Sequence, residues 1–177
     1  MRKNFKITTT TIAYTFREVL VIFLALVAIC IYLGINFGRE DSSTYNMVVT
    51  VMGIGFFAFH VFPNLMLTWD YMDQSKTRSL TIGEDNLIID ERNVNFGEIE
   101  KIIAVGTYQH FNPPISATSL PYFDYFYFLI LITARGEKIV LTSLLGHKLD
   151  VELKEILGKE KFEYKYSFFP MIESNMV

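Results

Sequence analysis

Two long stretches, residues 19–37 and 47–69, contain no Asp, Glu, Lys or Arg. Downstream of them the apolar positions shorten into runs of four to eight broken by turn residues. A helix needs about 20 apolar residues to cross a bilayer core of roughly 30 Å, and in lipid the backbone must satisfy its own hydrogen bonds. The pattern therefore predicts a transmembrane helical hairpin over 19–69, with helices at 19–37 and 47–69, after an N-terminal segment 1–18. A signal peptide shares the basic start and apolar run. Here the run is longer than a signal core, no small-x-small site follows it, and Ile29 is too bulky for a lipoprotein site before Cys30. Within 1–18 the run Thr8 to Thr11 supplies a helix cap near Thr11; the alternative is a strand that pairs with the soluble part.

On the second apolar helix Gly53, His60, Asn64 and Thr68 fall at steps of seven, four and four, which places them on one face. A small and polar face turns toward the first helix, at Ala25, Ala28 and Tyr32, rather than toward lipid. Pro63 removes a donor and frees the carbonyl of Phe59, so a kink is expected there.

After Trp69 the period becomes that of strands, with segments at 79–82, 87–90, 94–96 and 101–105. Residues 109–121, with Pro113, Pro114 and a Ser/Thr cluster, read as a loop. Residues 122–133 are too short for a third crossing, and their aromatic and β-branched content marks a long strand. Arg135-Gly136 turns it into a return strand at 137–142. Leu149, Leu153, Ile156 and Leu157 lie on one face of a helix over about 146–157, stopped by Gly158. Phe162, Tyr164, Tyr166 and Phe168 then alternate with polar residues as a strand or a docked tail. The domain is thus 70–177. One feature exceeds what such a domain needs: the aromatic strand is bulky and apolar on both faces, and a sheet with one wet side buries only one. Its second face meets the closing helix, the bilayer surface or a second protein.

Charge sets orientation and removes partners. The chain has 16 Lys+Arg and 19 Asp+Glu. Arg2, Lys3, Lys6 and Arg17 precede the hairpin, and Lys76 and Arg78 follow it. The turn 38–46 holds only Arg39 beside two acids. The positive-inside rule then places both termini in the cytoplasm and the turn outside, with Trp69, Tyr71 and Tyr45 as interfacial aromatics. Five basic but only three acidic residues precede Asp70, so the remainder carries about −5. That argues against nucleic acid and against a general pull toward anionic headgroups. The single cysteine, Cys30, lies mid-span and forms no intramolecular disulfide.

The order of two apolar helices, then "SLTIGEDNLIID", "NFGEIEKIIAV", "YFLILITARGEKIVLTS" and "HKLDVELKEILG", resembles bacterial pleckstrin-homology-like (bPH) domains attached to membrane hairpins. The likeness covers roughly 74–158 and rests on hydrophobic spacing and glycine turns. It implies an α+β membrane protein: two transmembrane helices, then a PH-like open β-barrel or β-sandwich capped by a helix. It implies no reaction and transfers no catalytic residue. Eukaryotic relatives bind phosphoinositides through a basic first hairpin. Here Gly83-Glu84-Asp85-Asn86 is acidic, so specific phosphoinositide binding is not expected.

Candidate chemistry is sparse. His60 and Asn64 are the polar residues inside the membrane, where such groups serve relays or hydrogen-bond the partner helix; the second use is favoured. His110 and His147 lack metal-ligand spacing. Ser119 and Ser143 lack a nucleophile-elbow context. No metal and no cofactor is implied, and no catalytic residue is assigned. The resulting expectation is a non-catalytic membrane-anchored scaffold in the bacterial inner membrane. Its cytoplasmic domain engages a protein partner or a second copy through Tyr122, Tyr125, Tyr127, Pro113 and Pro114. Alternatives are a small membrane immunity protein that neutralises a toxin, and an oligomeric transporter or channel component built on His60 and Asn64.

Overall fold

The computed structural model describes residues 2–36, 42–74, 77–112 and 125–172. The chain opens with strand β1 (Lys3–Lys6), a short helix α1 (Thr9–Thr15) and a long helix α2 (Arg17–Asn36). Helix α3 (Ser42–Phe56) continues through a π-helical turn (Phe57–Val61) into α4 (Phe62–Gln74). The remainder is β2 (Ser79–Ile82), β3 (Asn86–Ile89), β4 (Arg92–Asn95), β5 (Ile99–Gly106), a one-turn helix α5 (Tyr108–Phe111), β6 (Tyr127–Thr133), β7 (Lys138–Thr142), α6 (Leu149–Leu157) and β8 (Phe162–Tyr166).

Arg17–Asn36 and Ser42–Gln74 are long and apolar enough to cross a membrane. Their outward side chains, among them Leu24, Ile35, Val51 and Phe59, are exposed, and within α2 only Val19 is buried. The kink expected at Pro63 takes the form of the π turn. The Phe62 N–H reaches back five residues to the Phe57 carbonyl, which is how a helix absorbs one extra residue. That extra residue rotates everything after it by about 100° relative to everything before. Gly53 therefore falls out of phase with Asn64 and Thr68. Nothing lies within 4 Å of where its Cβ would be, whereas Asn64 and Thr68 are buried. The single polar face expected along this helix is thus split in two. Ser42 to Asn46, expected in the turn, are already helical, and residues 37–41 lie outside the described part.

The strands form two four-stranded sheets rather than a closed barrel. The first runs β1-β2-β3-β4, all antiparallel. The second runs β7-β6-β5-β8, with β8 parallel to β5 after the α6 crossover. β1 is the edge of the first sheet, with Phe5 opposite Leu80, so the residues ahead of the hairpin are part of the sheet that follows it. The β3–β4 turn uses Asp90 and Glu91 at φ 45° and 75°, the left-handed pair a two-residue hairpin demands. The Asp90 carboxylate offsets that strain by accepting from the backbone N–H groups of Arg78 and Ser79.

Two cores result. The first lies between the sheets and under α6, with Leu80, Leu87, Val94, Ile102, Leu129, Leu141, Leu149 and Leu153. The second covers the other face of the second sheet, where Val105, Phe126, Phe128, Ile130 and Val140 meet Leu67 and Tyr71 of α4 and Ile172 of the C-terminal segment. The doubly apolar β6 is thereby explained: Tyr127, Leu129 and Leu131 face the first core, while Phe126, Phe128 and Ile130 face the second. Both faces are buried, the condition that produces near-continuous apolar strands.

Candidate functional site

The descent of the chain into α2 builds an aromatic cleft. Thr8 caps α1 with a reciprocal pair: its hydroxyl accepts from the Thr11 N–H at 3.2 Å, and the Thr11 hydroxyl accepts from the Thr8 N–H at 2.9 Å. At Phe16 the helix breaks and restarts as α2 at Arg17. The carbonyl of Thr15, at that break, accepts from the buried Asn64 side chain at 3.0 Å. Thr68 lies within 3.5 Å of the other end of the Asn64 amide. Asn64 is thus a latch between the second apolar helix and the entry to the first. His60 sits in the π turn, its ring 5.5 Å from that of Phe56.

The bend presents Tyr14 to the domain. Its ring meets Tyr125 edge-on at 5.7 Å and His147 at 5.6 Å, while Tyr125 and His147 are 4.9 Å apart. The Arg17 guanidinium lies 5.3 Å above the Tyr14 ring and donates to its hydroxyl at 3.2 Å. Beside this trio is a cleft of about 210 Å³, completed by Thr10, Thr11, Thr15 and Ser143. Burial, and then the hydrogen bond and charge of Glu18, push the Tyr125 phenol up to about 12. Burial and the neighbouring His110 lower the His147 pKa, against the pull of Asp150. At neutral pH the cleft thus offers hydroxyls, aromatic rings and an uncharged imidazole.

Behind it lies a buried polar pair. His110 Nε2 is 3.1 Å from Asp150 Oδ2, and the imidazole stacks on the Tyr127 ring at 4.3 Å. The Tyr127 hydroxyl donates to the Gly146 carbonyl at 3.0 Å and accepts from the Asp150 N–H at 3.3 Å. Burial alone would raise the Asp150 carboxyl, but the hydrogen bond and charge of His110 outweigh it and hold the group below its usual value. This pair joins α5 to the start of α6, 40 residues apart in the chain, and no motif announces it.

Of the residues expected at a partner surface, Tyr125 lines the cleft. Tyr127 is fully buried and packs the first core, so it presents nothing to a partner. Tyr122, Pro113 and Pro114 lie outside the described residues. His110, expected in a loop, is in α5. Tyr14, Thr15 and Asp150 carry no sequence signal for their roles, because each depends on contacts across distant segments. Among the described residues, no three His, Cys, Asp or Glu side chains converge as a metal site requires. A wider cleft of about 420 Å³ at the first hairpin is lined by Arg2, Glu84, Asp85, Asn86 and Asn95, a mixed-charge surface unlike a phosphate cradle. The aromatic cleft offers rings that can stack and hydroxyls that can donate and accept. Compared with known proteins, the chain matches no family model, no curated protein and no solved structure.

Proposed function

We propose that the chain is a non-catalytic scaffold of the bacterial inner membrane. Two transmembrane helices hold a PH-like domain against the cytoplasmic face, with both termini inside, and the domain engages a protein partner. The observation that carries this reading is the second core. Leu67 and Tyr71 of an apolar helix are fully buried against the second sheet. The domain is therefore packed onto the helix end rather than tethered by a linker. Such packing gives a partner a surface of defined height and orientation above the bilayer, which suits recognition and removes the ordering cost of a swinging domain. The surface offered there is the Tyr14–Tyr125–His147 cleft.

The test is a photo-crosslinking residue at Tyr125 in full-length protein in native membranes, with Arg135 in the exposed β6–β7 turn as the control position. A discrete protein adduct at Tyr125, absent at Arg135 and lost in Tyr14→Ala, is expected. Adducts to lipid alone at Tyr125 would refute the partner. Tyr127→Ala is unsuited to this test, because it opens the first core.

A further inference from the structure

The C-terminal segment does not trail away from β8. The Ser167 N–H donates to the Gly106 carbonyl at 2.9 Å, extending β8 by one residue. The chain then crosses to α4. The Tyr71 hydroxyl donates to the Pro170 carbonyl at 2.8 Å, and the Ile172 N–H donates to the Asp70 carboxylate at 2.8 Å, both in buried surroundings. Ile172 joins the core that contains Leu67 and Tyr71, and Pro170 is buried. Two residues in this clasped segment point the other way: Phe168 is 84% exposed and Met171 is 38% exposed.

Depth along α4 gives these exposures a meaning. The apolar span runs to Trp69, which is 77% exposed, and Leu65 and Met72 are exposed on the same helix. Residues 65, 69 and 72 follow a three- to four-residue spacing and share a face. Side chains on a helix lean toward its N-terminus, so the Tyr71 hydroxyl reaches back toward the membrane and holds Pro170 no farther from it than Tyr71 itself. Ile172 is bonded to Asp70, one residue after Trp69. The segment is therefore held at the level of the last turn of the span, where interfacial segments bury apolar side chains such as Trp, Phe and Leu.

We propose that residues 168–172 form a foot lying in the bilayer interface, with Phe168 and Met171 entering the lipid at the depth of Trp69. The occupant of this apolar surface is lipid, because the residues that hold the segment, Asp70 and Tyr71, directly follow Trp69 at the end of the apolar span. The inference rests on the membrane-spanning reading of Arg17–Asn36 and Ser42–Gln74.

The experiment uses full-length protein in nanodiscs, in a Cys30→Ala background, with a fluorescent thiol label placed singly at Phe168→Cys, Met171→Cys, Trp69→Cys, Phe59→Cys and Arg135→Cys. β6 carries the chain from Phe128 beside Tyr71 to the Arg135 turn, about 20 Å away, so position 135 reports water. Lipids brominated near the glycerol end of the acyl chain are expected to quench labels at 168 and 171 as they quench one at 69. Iodide is expected to quench them several-fold less than the label at 135. Iodide quenching at 168 and 171 equal to that at 135 overturns the foot, as does protection from both quenchers, which would mean a protein cover. If lipid brominated deep in the acyl chain quenches the label at 59 while lipid brominated near the glycerol end leaves those at 168 and 171 unquenched, the foot alone fails. If the label at 59 is untouched by the deep-brominated lipid, the spanning reading itself fails.

Discussion

At the scale of single residues, the polar groups that matter are those tying distant segments together. Asn64 supplies the donor for a backbone carbonyl stranded at the bend between α1 and α2. Asn64→Leu leaves that carbonyl without this donor. The expected loss is about 1 kcal/mol, the net worth of one such bond, read from thermal unfolding in detergent. The His110–Asp150 pair is more consequential, because each side chain is only about a tenth exposed. His110→Ala strands a carboxylate in the protein, and a loss of about 3 kcal/mol is expected. The pair also sets an acid limit. Because the folded Asp150 pKa lies below its ordinary value, its contribution is fully present above the unfolded pKa of about 4 and is lost as pH falls through the lower folded value. Melting temperatures taken from pH 7 down to pH 3 are expected to fall less steeply below pH 4 in Asp150→Asn than in the native chain.

At the scale of elements, α4 and β6 explain each other. α4 ends in residues that bury a sheet face, and β6 is apolar on both sides because it lies between two cores. Tyr71 separates the contributions. Tyr71→Phe removes one hydrogen bond to Pro170, worth about 1 kcal/mol. Tyr71→Ala opens a cavity at a fully buried ring that meets Phe126 at 5.4 Å and Phe128 at 6.1 Å, and is expected to cost about 3 to 5 kcal/mol. Limited proteolysis after residue 166 reports release of the C-terminal segment. It should accelerate modestly in Tyr71→Phe and strongly in Tyr71→Ala. The surplus of aromatic residues on β6 was legible in the sequence. What covered it was not, since a two-sided apolar strand looks the same whether its second face meets a helix, a lipid or a partner. The π turn shows the same limit. Pro63 announced a disturbance, but the rotation that separates Gly53 from Asn64 depends on how the freed carbonyls found new donors.

At the scale of the whole molecule, the two ends of the chain close around the hairpin. β1 forms the edge of the first sheet, and the segment after β8 clasps the base of α4. Lys3 of β1 also reaches Glu152 of α6 at 3.0 Å. Between the sheets, Arg92 after the β3–β4 turn pairs with Glu137 ahead of β7. Phe5 fits against Gly146 so closely that a Cβ there would lie 2.7 Å from the ring. Gly146→Ala therefore has to displace Phe5 and loosen β1. Faster amide exchange in β1 and β2, with β6 unchanged, is the expected signature in hydrogen-exchange measurements. Deleting residues 2–6 should have the same effect in stronger form and expose β2 as a new edge, with aggregation as the visible consequence.

By itself the sequence determined the two apolar helices, the short strands with their turns, the helix stopped at Gly158 and the poverty of catalytic motifs. Each of these depends on periodicity and local backbone chemistry, which neighbouring residues carry. Only the tertiary structure decided that β1 belongs to a sheet formed after the hairpin, that Tyr127 is core while Tyr125 lines a cleft, and that the aromatic strand is covered by the foot of α4. Those outcomes are contacts between segments dozens of residues apart. They follow from which apolar faces find each other once the chain is closed, and one-dimensional pattern does not encode that choice.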